Sequence, residues 1–199
     1  METKILIAMP CNRGVKPKTA ECLAEMISNT KLPVKTVIAT EGYTIAENRA
    51  YLVYKAIENG CSHILFIDDD MVFPVDTLDR LIDIGKYVVG VNSHGRKLPI
   101  KTTVTFLEKD WTEDENGMPK LPEVPEALFE CKEVGGGVLL VDMSVFEKID
   151  KPWFGFDQDN SGWVKQGEDG WFCQRCREKD IKIYCDPTLA IGHIGDYIY

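Results

Sequence analysis

Residues 63–74 read HILFIDDDMVFP, an apolar stretch that runs straight into three consecutive aspartates. Residues 64–67 have the composition of a strand, and the acids mark where that strand stops. Three carboxylates crowded together repel one another, so their position calls for a compensating cation. The order of the strands around this one decides both the fold and the place to look for chemistry.

The same alternation repeats on the N-terminal side. Residues 5–9, ILIAM, read as a buried strand, followed by a helical segment over 17–29 and a second strand over 34–39. Thr44-Ile45-Ala46-Glu47 has the spacing of a capping box and opens a helix that runs through Glu58 and stops at Gly60. Ile45, Leu52, Val53, Ala56 and Ile57 fall on one of its faces. Beyond the aspartates, residues 76–84 read as a short helix closed by Gly85, and 87–91 as a fourth strand. This order predicts right-handed crossovers and an α/β fold with a mixed, mainly parallel central sheet flanked by helices. Ligands of such sheets bind beyond the carboxyl ends of the strands. Three loops are expected to converge there: residues 10–14, 40–43 and 68–71.

The second half is less regular. Residues 102–107 alternate like a strand with one wet face, and 108–126, rich in Glu, Asp and Pro, are expected to form an exposed loop or flap. Residues 129–134 and 138–141 read as strands around the glycines 135–137, and 144–149 as a short helix. Residues 153–166 read as irregular, Gly167-Glu168-Asp169 opens a further helix, and 181–185 is a strand.

Composition narrows the classes. The chain has 199 residues, 44% hydrophobic and 28% charged, which suits a single globular domain with a sizeable core. A formal net charge of -9 argues against a nucleic-acid partner, which demands a basic face. No stretch is long enough to be a transmembrane segment. Seven cysteines, an odd number at irregular spacing, fit a reducing cytoplasm better than a disulfide framework, and the chain reads as cytoplasmic.

Along an extended chain, side chains two apart point the same way, so Asp68 and Asp70 are expected to face one ion while Asp69 points elsewhere. Carboxylate oxygens suit magnesium or manganese, ions that often hold substrate phosphates. Asn48 and Arg49 lie in the first turns of a helix whose positive end faces the expected crevice. Arg49 there reads either as an anion contact or as the partner of Glu47 or another surface acid.

Taken together, ILFIDDDMVF with GYTIAENRA before it, and GEDGWFCQRC and GHIG after it, resemble the GT-A glycosyltransferases, family 2-like and dependent on nucleotide sugars. The resemblance spans nearly the whole chain and keeps the family's motif order. It implies a Rossmann-like GT-A domain over residues 1–199, with a nucleotide-binding half at 1–95 and an acceptor-binding, catalytic half at 96–199. It implies a DxD metal motif at Asp68 and Asp70, with Asp70 the direct ligand and Asp68 or Asp69 reaching the ribose or a metal-bound water. His193 would complete the site, shifting preference towards Mn2+ over Mg2+. Pro10, Cys11, Asn12 and Arg13 correspond to a nucleotide-contacting loop, Glu41 to a base or ribose contact, Arg49 to a diphosphate or sugar contact, and Arg96 to a further donor contact. Gly136, within the glycine segment, would let donor sugar and acceptor approach the backbone. Asp169, with Glu168 second, matches the acid that takes the acceptor's proton. Trp163 and Trp171 offer faces to an acceptor sugar, although large aromatics, Trp153 among them, also serve as core. The implied donor is a nucleotide sugar, UDP-sugar first, and the implied acceptor a glycan, glycoprotein or small molecule. The chain stops close behind GHIGD, the ending expected of a catalytic module excised from a longer protein.

Two other readings compete. ILFIDDDMV satisfies the Asp-x-Asp-x-Val pattern of haloacid-dehalogenase-like phosphatases, with Asp68 as nucleophile, although that motif normally sits on a first strand. Cys173-x-x-Cys176 with Cys185 and His193 would make a zinc-stabilised binding module.

Overall fold

The computed structural model describes residues 3–11, 14–39, 44–95 and 102–195. Strands β1 (Ile5–Pro10), β2 (Val34–Ala39), β3 (His63–Ile67), β4 (Val88–Val91), β5 (Phe129–Cys131), β6 (Val138–Asp142) and β7 (Ile183–Asp186) form one sheet in the order β2-β1-β3-β6-β4-β7-β5. β1 is parallel to β2 and β3, and β4 is parallel to β7. β6 runs antiparallel between β3 and β4, and β5 antiparallel on the edge beside β7. The sheet is mixed and mainly parallel, as expected. Both halves of the chain contribute strands to it.

The apolar runs follow from burial on both faces, which removes the polar alternation of a one-sided sheet. Leu6, Ala8, Ile64 and Phe66 face one layer, packed with Leu52 and Val53 of α2 (Ile45–Glu58) and Phe172 of α5 (Glu168–Arg177). Ile5, Ile7, Met9, Leu65 and Ile67 face the other, against Met26 of α1 (Pro17–Asn29) and Leu78 and Leu81 of α3 (Thr77–Asp83). Each fully buried side chain of this size contributes about 1.5–3 kcal/mol of hydrophobic free energy.

α2 begins where the capping box places it: the Thr44 hydroxyl accepts from the Glu47 amide at 3.2 Å and meets the Glu47 carboxylate at 3.1 Å. Its buried face comprises Ala46, Asn48, Arg49, Leu52, Val53 and Ala56, whereas Ile57 is exposed. α3 closes at Gly85, whose φ of +65° an L side chain rarely adopts.

Three expectations change in the second half. Residues 102–107 form no strand; they contribute only isolated bridges, His94 to Thr102 and Thr105 to Glu133. Residues 153–166 are not irregular throughout, since Asp157–Gln158 pairs with Val164–Gln166 in a small hairpin. The exposed 108–126 segment carries a 3-10 turn at Glu108–Asp110 and a minimal ladder between Thr112–Glu113 and Pro119–Lys120. The short helix α4 (Val145–Lys148) lies within the expected 144–149 span.

Candidate active site

The chain leaves β1 for β2 on one side and returns to β3 on the other, so the order reverses between β1 and β3. Side chains at the carboxyl ends of these strands open into a crevice at such a reversal. β6, being antiparallel, brings its amino end to the same edge: Val138 pairs with Ile67, and the Asp68 amide donates to the Gly137 carbonyl at 2.9 Å. α5 starts beside this edge, with Gly167 as its N-cap and Glu168 and Asp169 in its first turn.

The guanidinium of Arg49 joins these pieces. Arg49 is 2% exposed. Nη2 donates to Asp68 Oδ1 at 2.9 Å, Nε to Glu168 Oε1 at 3.2 Å and Nη1 to the Gly136 carbonyl at 3.2 Å. Its Cζ lies 5.3 Å from the centroid of the Phe66 ring. Burial works against its charge, but the carboxylates of Asp68, Glu168 and Asp169 outweigh that and raise its pKa. Its carboxylate partners are the partly buried Asp68 and Glu168 rather than Glu47, and three of its five N–H groups are engaged within the protein.

Asp68 and Asp70 do not face one ion side by side. The strand ends at Ile67, and residues 68–71 turn, with the Met71 amide on the Asp68 carbonyl at 3.4 Å, so the two-residue alternation no longer holds. Asp68 turns to Arg49; Asp70, 3% exposed, turns to His193. That second pairing is fixed by a two-stranded ladder, Met71–Val72 against Gly192–His193, and by the Ile194 amide donating to the Asp70 carbonyl at 2.8 Å.

Asp70 and His193 form an ion pair when the ring is protonated, and their facing atoms are also of the kinds that can hold a divalent ion. His193 Nδ1 lies 3.1 Å from the carbonyl oxygen of His94, which only accepts, so this nitrogen carries the hydrogen. In the neutral ring the lone pair of Nε2 then points at Asp70 Oδ1, 3.1 Å away. Two acceptors so close repel until a proton or metal ion lies between them, and metal-binding histidines commonly tie their other nitrogen to a backbone carbonyl. Two ligands at right angles, each about 2.1 Å from one ion, also stand about 3 Å apart. Among the described residues no three His, Cys, Asp or Glu side chains converge on a metal position. The remaining positions would fall to phosphate oxygens and water, as magnesium and manganese sites usually leave them.

The two acids at the start of α5 differ. Burial pushes the Glu168 carboxyl above its ordinary range, while Arg49 opposes the shift. Asp169 is half-buried; its Oδ1 accepts from the Gly170 amide at 2.8 Å and its Oδ2 from the Gly136 amide at 3.4 Å. Gly136 has no room for a side chain, since a Cβ there would lie 2.6 Å from Arg49 Nη2.

Of the residues expected to contact the donor, Pro10 ends β1 and Cys11 follows it, both buried, and the Gly14 amide donates to Cys11 Sγ at 3.2 Å. Asn12, Arg13, Glu41 and Arg96 lie outside the described residues. Asn48 is buried, and its Oδ1 has no hydrogen-bond partner among the described residues. Asp69 receives the Lys16 amide on its carbonyl at 2.8 Å. Trp163 is 75% exposed near the turn of the 157–166 hairpin, which leads directly into Glu168. Trp171 is partly buried: its Nε1 donates to the Pro152 carbonyl at 3.0 Å and Arg175 lies over its ring. Trp153 is core.

The competing readings find little support in this geometry. Cys173, Cys176 and Cys185 are buried thiols whose pKa values burial raises, and they pack in the apolar layer of α5. Asp68, the nucleophile of the phosphatase reading, is bound to Arg49 and follows the third strand in chain order.

No family model matches the chain, and neither does any curated protein sequence. Among solved structures it is similar to the crystal structure of A197 from STIV, with a TM-score of 0.63 and 18% identity over 98% of this chain and 87% of that one. A glycosyltransferase involved in glycosylation of the major capsid of PBCV-1 overlaps at a TM-score of 0.39 and 14% identity, over 75% of this chain and 68% of that one. The inositol-1-phosphate CTP transferase from T. maritima overlaps at 0.49 and 8%, over 98% and 89% respectively. The first likeness establishes a shared fold; the two weaker overlaps add nothing to it.

Proposed function

We propose that the chain is a glycosyltransferase that moves a sugar from a nucleoside diphosphate sugar, with UDP the favoured carrier, to an acceptor hydroxyl. One observation carries this reading: the acidic turn that holds Asp68 and the Asp70–His193 pair is tied through the glycine segment 136–137 to Asp169 at the start of α5.

Asp70 and His193 would hold manganese or magnesium, which when bound supplies the charge that neutralises a departing diphosphate. Pro10, Cys11 and Asn48 would shape the donor side from beneath, as buried residues at the carboxyl end of β1 and on α2. The absence of side chains at residues 135–137 lets Thr103, Arg49 and Met71 pack against this backbone beside the site. As the acceptor oxygen attacks the anomeric carbon, its proton passes to a carboxylate. Glu168 is already engaged by Arg49, so the base is Asp169. Trp163, on the strand pair before it, offers an exposed ring to an acceptor glycan, glycoprotein or small molecule. Seven cysteines, all free and buried, favour a reducing, cytoplasmic setting, and among the described residues no helix is long and apolar enough to cross a membrane.

The test is a thermal-shift panel of UDP, GDP, CMP and dTDP sugars with and without manganese. Stabilisation by one carrier that requires the metal is expected. If no nucleotide stabilises the protein under either condition, the donor reading is lost.

A further inference from the structure

We infer that Arg49 is a positioning residue, a buried strut that fixes the start of α5 against the end of β3, so that Glu168 serves as its counter-ion and Asp169 is the carboxylate delivered to the acceptor. The chemistry of this inference rests on the glycosyl-transfer reading above; the strut itself rests on geometry alone.

Arg49 belongs to α2, yet its three hydrogen bonds go to three other segments: Asp68 after β3, Gly136 in the glycine segment and Glu168 on α5. A guanidinium reaches all three because its donors spread as a rigid planar fork. A lysine ammonium, a single point on a flexible stem, cannot span them. Phe66 backs the guanidinium, and burial keeps it from swinging towards solvent. The contact continues one peptide further. Arg49 holds Gly136 by its carbonyl, and the amide of the same residue donates to Asp169 Oδ2 at 3.4 Å. Orientation therefore passes from Arg49 through a single glycine residue, from the peptide on its carboxyl side to the one on its amino side, and on to Asp169. Glu133 approaches the same helix start from the other side, where a Cβ on Gly170 would meet its Oε2 at 3.0 Å, but it bonds Gln166 rather than Arg49.

The test uses the full chain carrying Arg49→Lys and, from the other end of the strut, Glu168→Gln. Amide hydrogen exchange needs no ligand. Exchange at Gly136, Gly170 and Trp171 is expected to quicken by about tenfold or more in both variants while α1 keeps its protection. Exchange unchanged at those amides, or raised equally throughout the sheet, overturns the strut. A second arm measures manganese-dependent release of UDP from UDP-glucose. Arg49→Lys should lower kcat by about a hundredfold, the scale of a misplaced catalytic group, with donor KM unchanged. Added guanidinium should restore part of kcat to Arg49→Ala. A raised donor KM with kcat retained would instead put Arg49 on the donor and overturn the positioning role. If the native chain releases no UDP while exchange behaves as expected, the strut stands and the transfer reading is what fails.

Discussion

Nε2 of His193 stands 3.1 Å from Oδ1 of Asp70, held there by the ladder that pairs His193 with Met71. As the proposed ligands of a metal ion, the two would need no rearrangement to take it. Asp70→Ala is expected to abolish manganese-dependent UDP binding and transfer while the fold persists. His193→Ala should cost at least the roughly 10–100-fold in affinity that loss of an outer-shell partner costs. Calorimetric titration of manganese in the presence of UDP measures both. Undiminished affinity in the Asp70 variant would remove the metal assignment.

Gly136→Ala tests how tightly the site is packed. The new Cβ would lie 2.6 Å from Nη2 and 2.8 Å from Cζ of Arg49, a group anchored on three sides. Overpacking of this kind costs about 1–3 kcal/mol. At Gly137 the neighbour is the flexible Met71 side chain, with sulfur at 3.1 Å, and a smaller loss is expected. Urea denaturation of the two variants should rank them in that order.

Glu168 makes stability depend on pH. Burial holds its carboxyl above the ordinary 4.5, with Arg49 pulling the other way. The folded chain thus keeps a proton that the unfolded chain has released, and the contribution of this group falls as pH climbs past 4.5 towards neutrality. Relative to Glu168→Gln, the native protein should lose stability over that interval and show a constant difference below it. A difference that grows with pH would mean that attraction to Arg49 outweighs burial.

The two tryptophans near α5 should separate cleanly. Trp163→Ala removes a ring that is 75% exposed and should change stability by no more than about 0.5 kcal/mol. It should weaken acceptor use while leaving acceptor-independent donor hydrolysis intact. Trp171→Ala breaks the bond to the Pro152 carbonyl and opens a gap beside Gly155, with a stability loss of about 1–3 kcal/mol. Thermal denaturation alongside acceptor kinetics would reveal any exchange of these roles.

The first half was legible because its signals are local. Apolar runs, the Thr44–Glu47 cap and the glycines at 60 and 85 each act within a few residues, and α1, α2 and β1 to β4 follow them closely. Residues 138–141 also read as a strand, but its slot between β3 and β4 depends on pairing with strands far away in sequence. Residues 102–107 alternate in polarity, yet only two bridges recruit them. The site divides in the same way. The acidic turn, the helix start at Glu168 and the late histidine are visible as motifs. The pairing of Arg49 with Glu168 crosses 119 positions, and no periodicity announces it. Its only trace in the sequence is an arginine on the apolar side of a helix.

Because β6 runs backwards between two forward strands, its first residue arrives where their last ones leave. The preceding tripeptide of glycines therefore ties its backbone to the strand ends and to α5, through the Gly136 carbonyl to Arg49, the Gly136 amide to Asp169 and the Gly137 carbonyl to the Asp68 amide. The small ladders within 108–126 and 157–166 are separate from the seven-stranded sheet, so changes there leave this central tie in place.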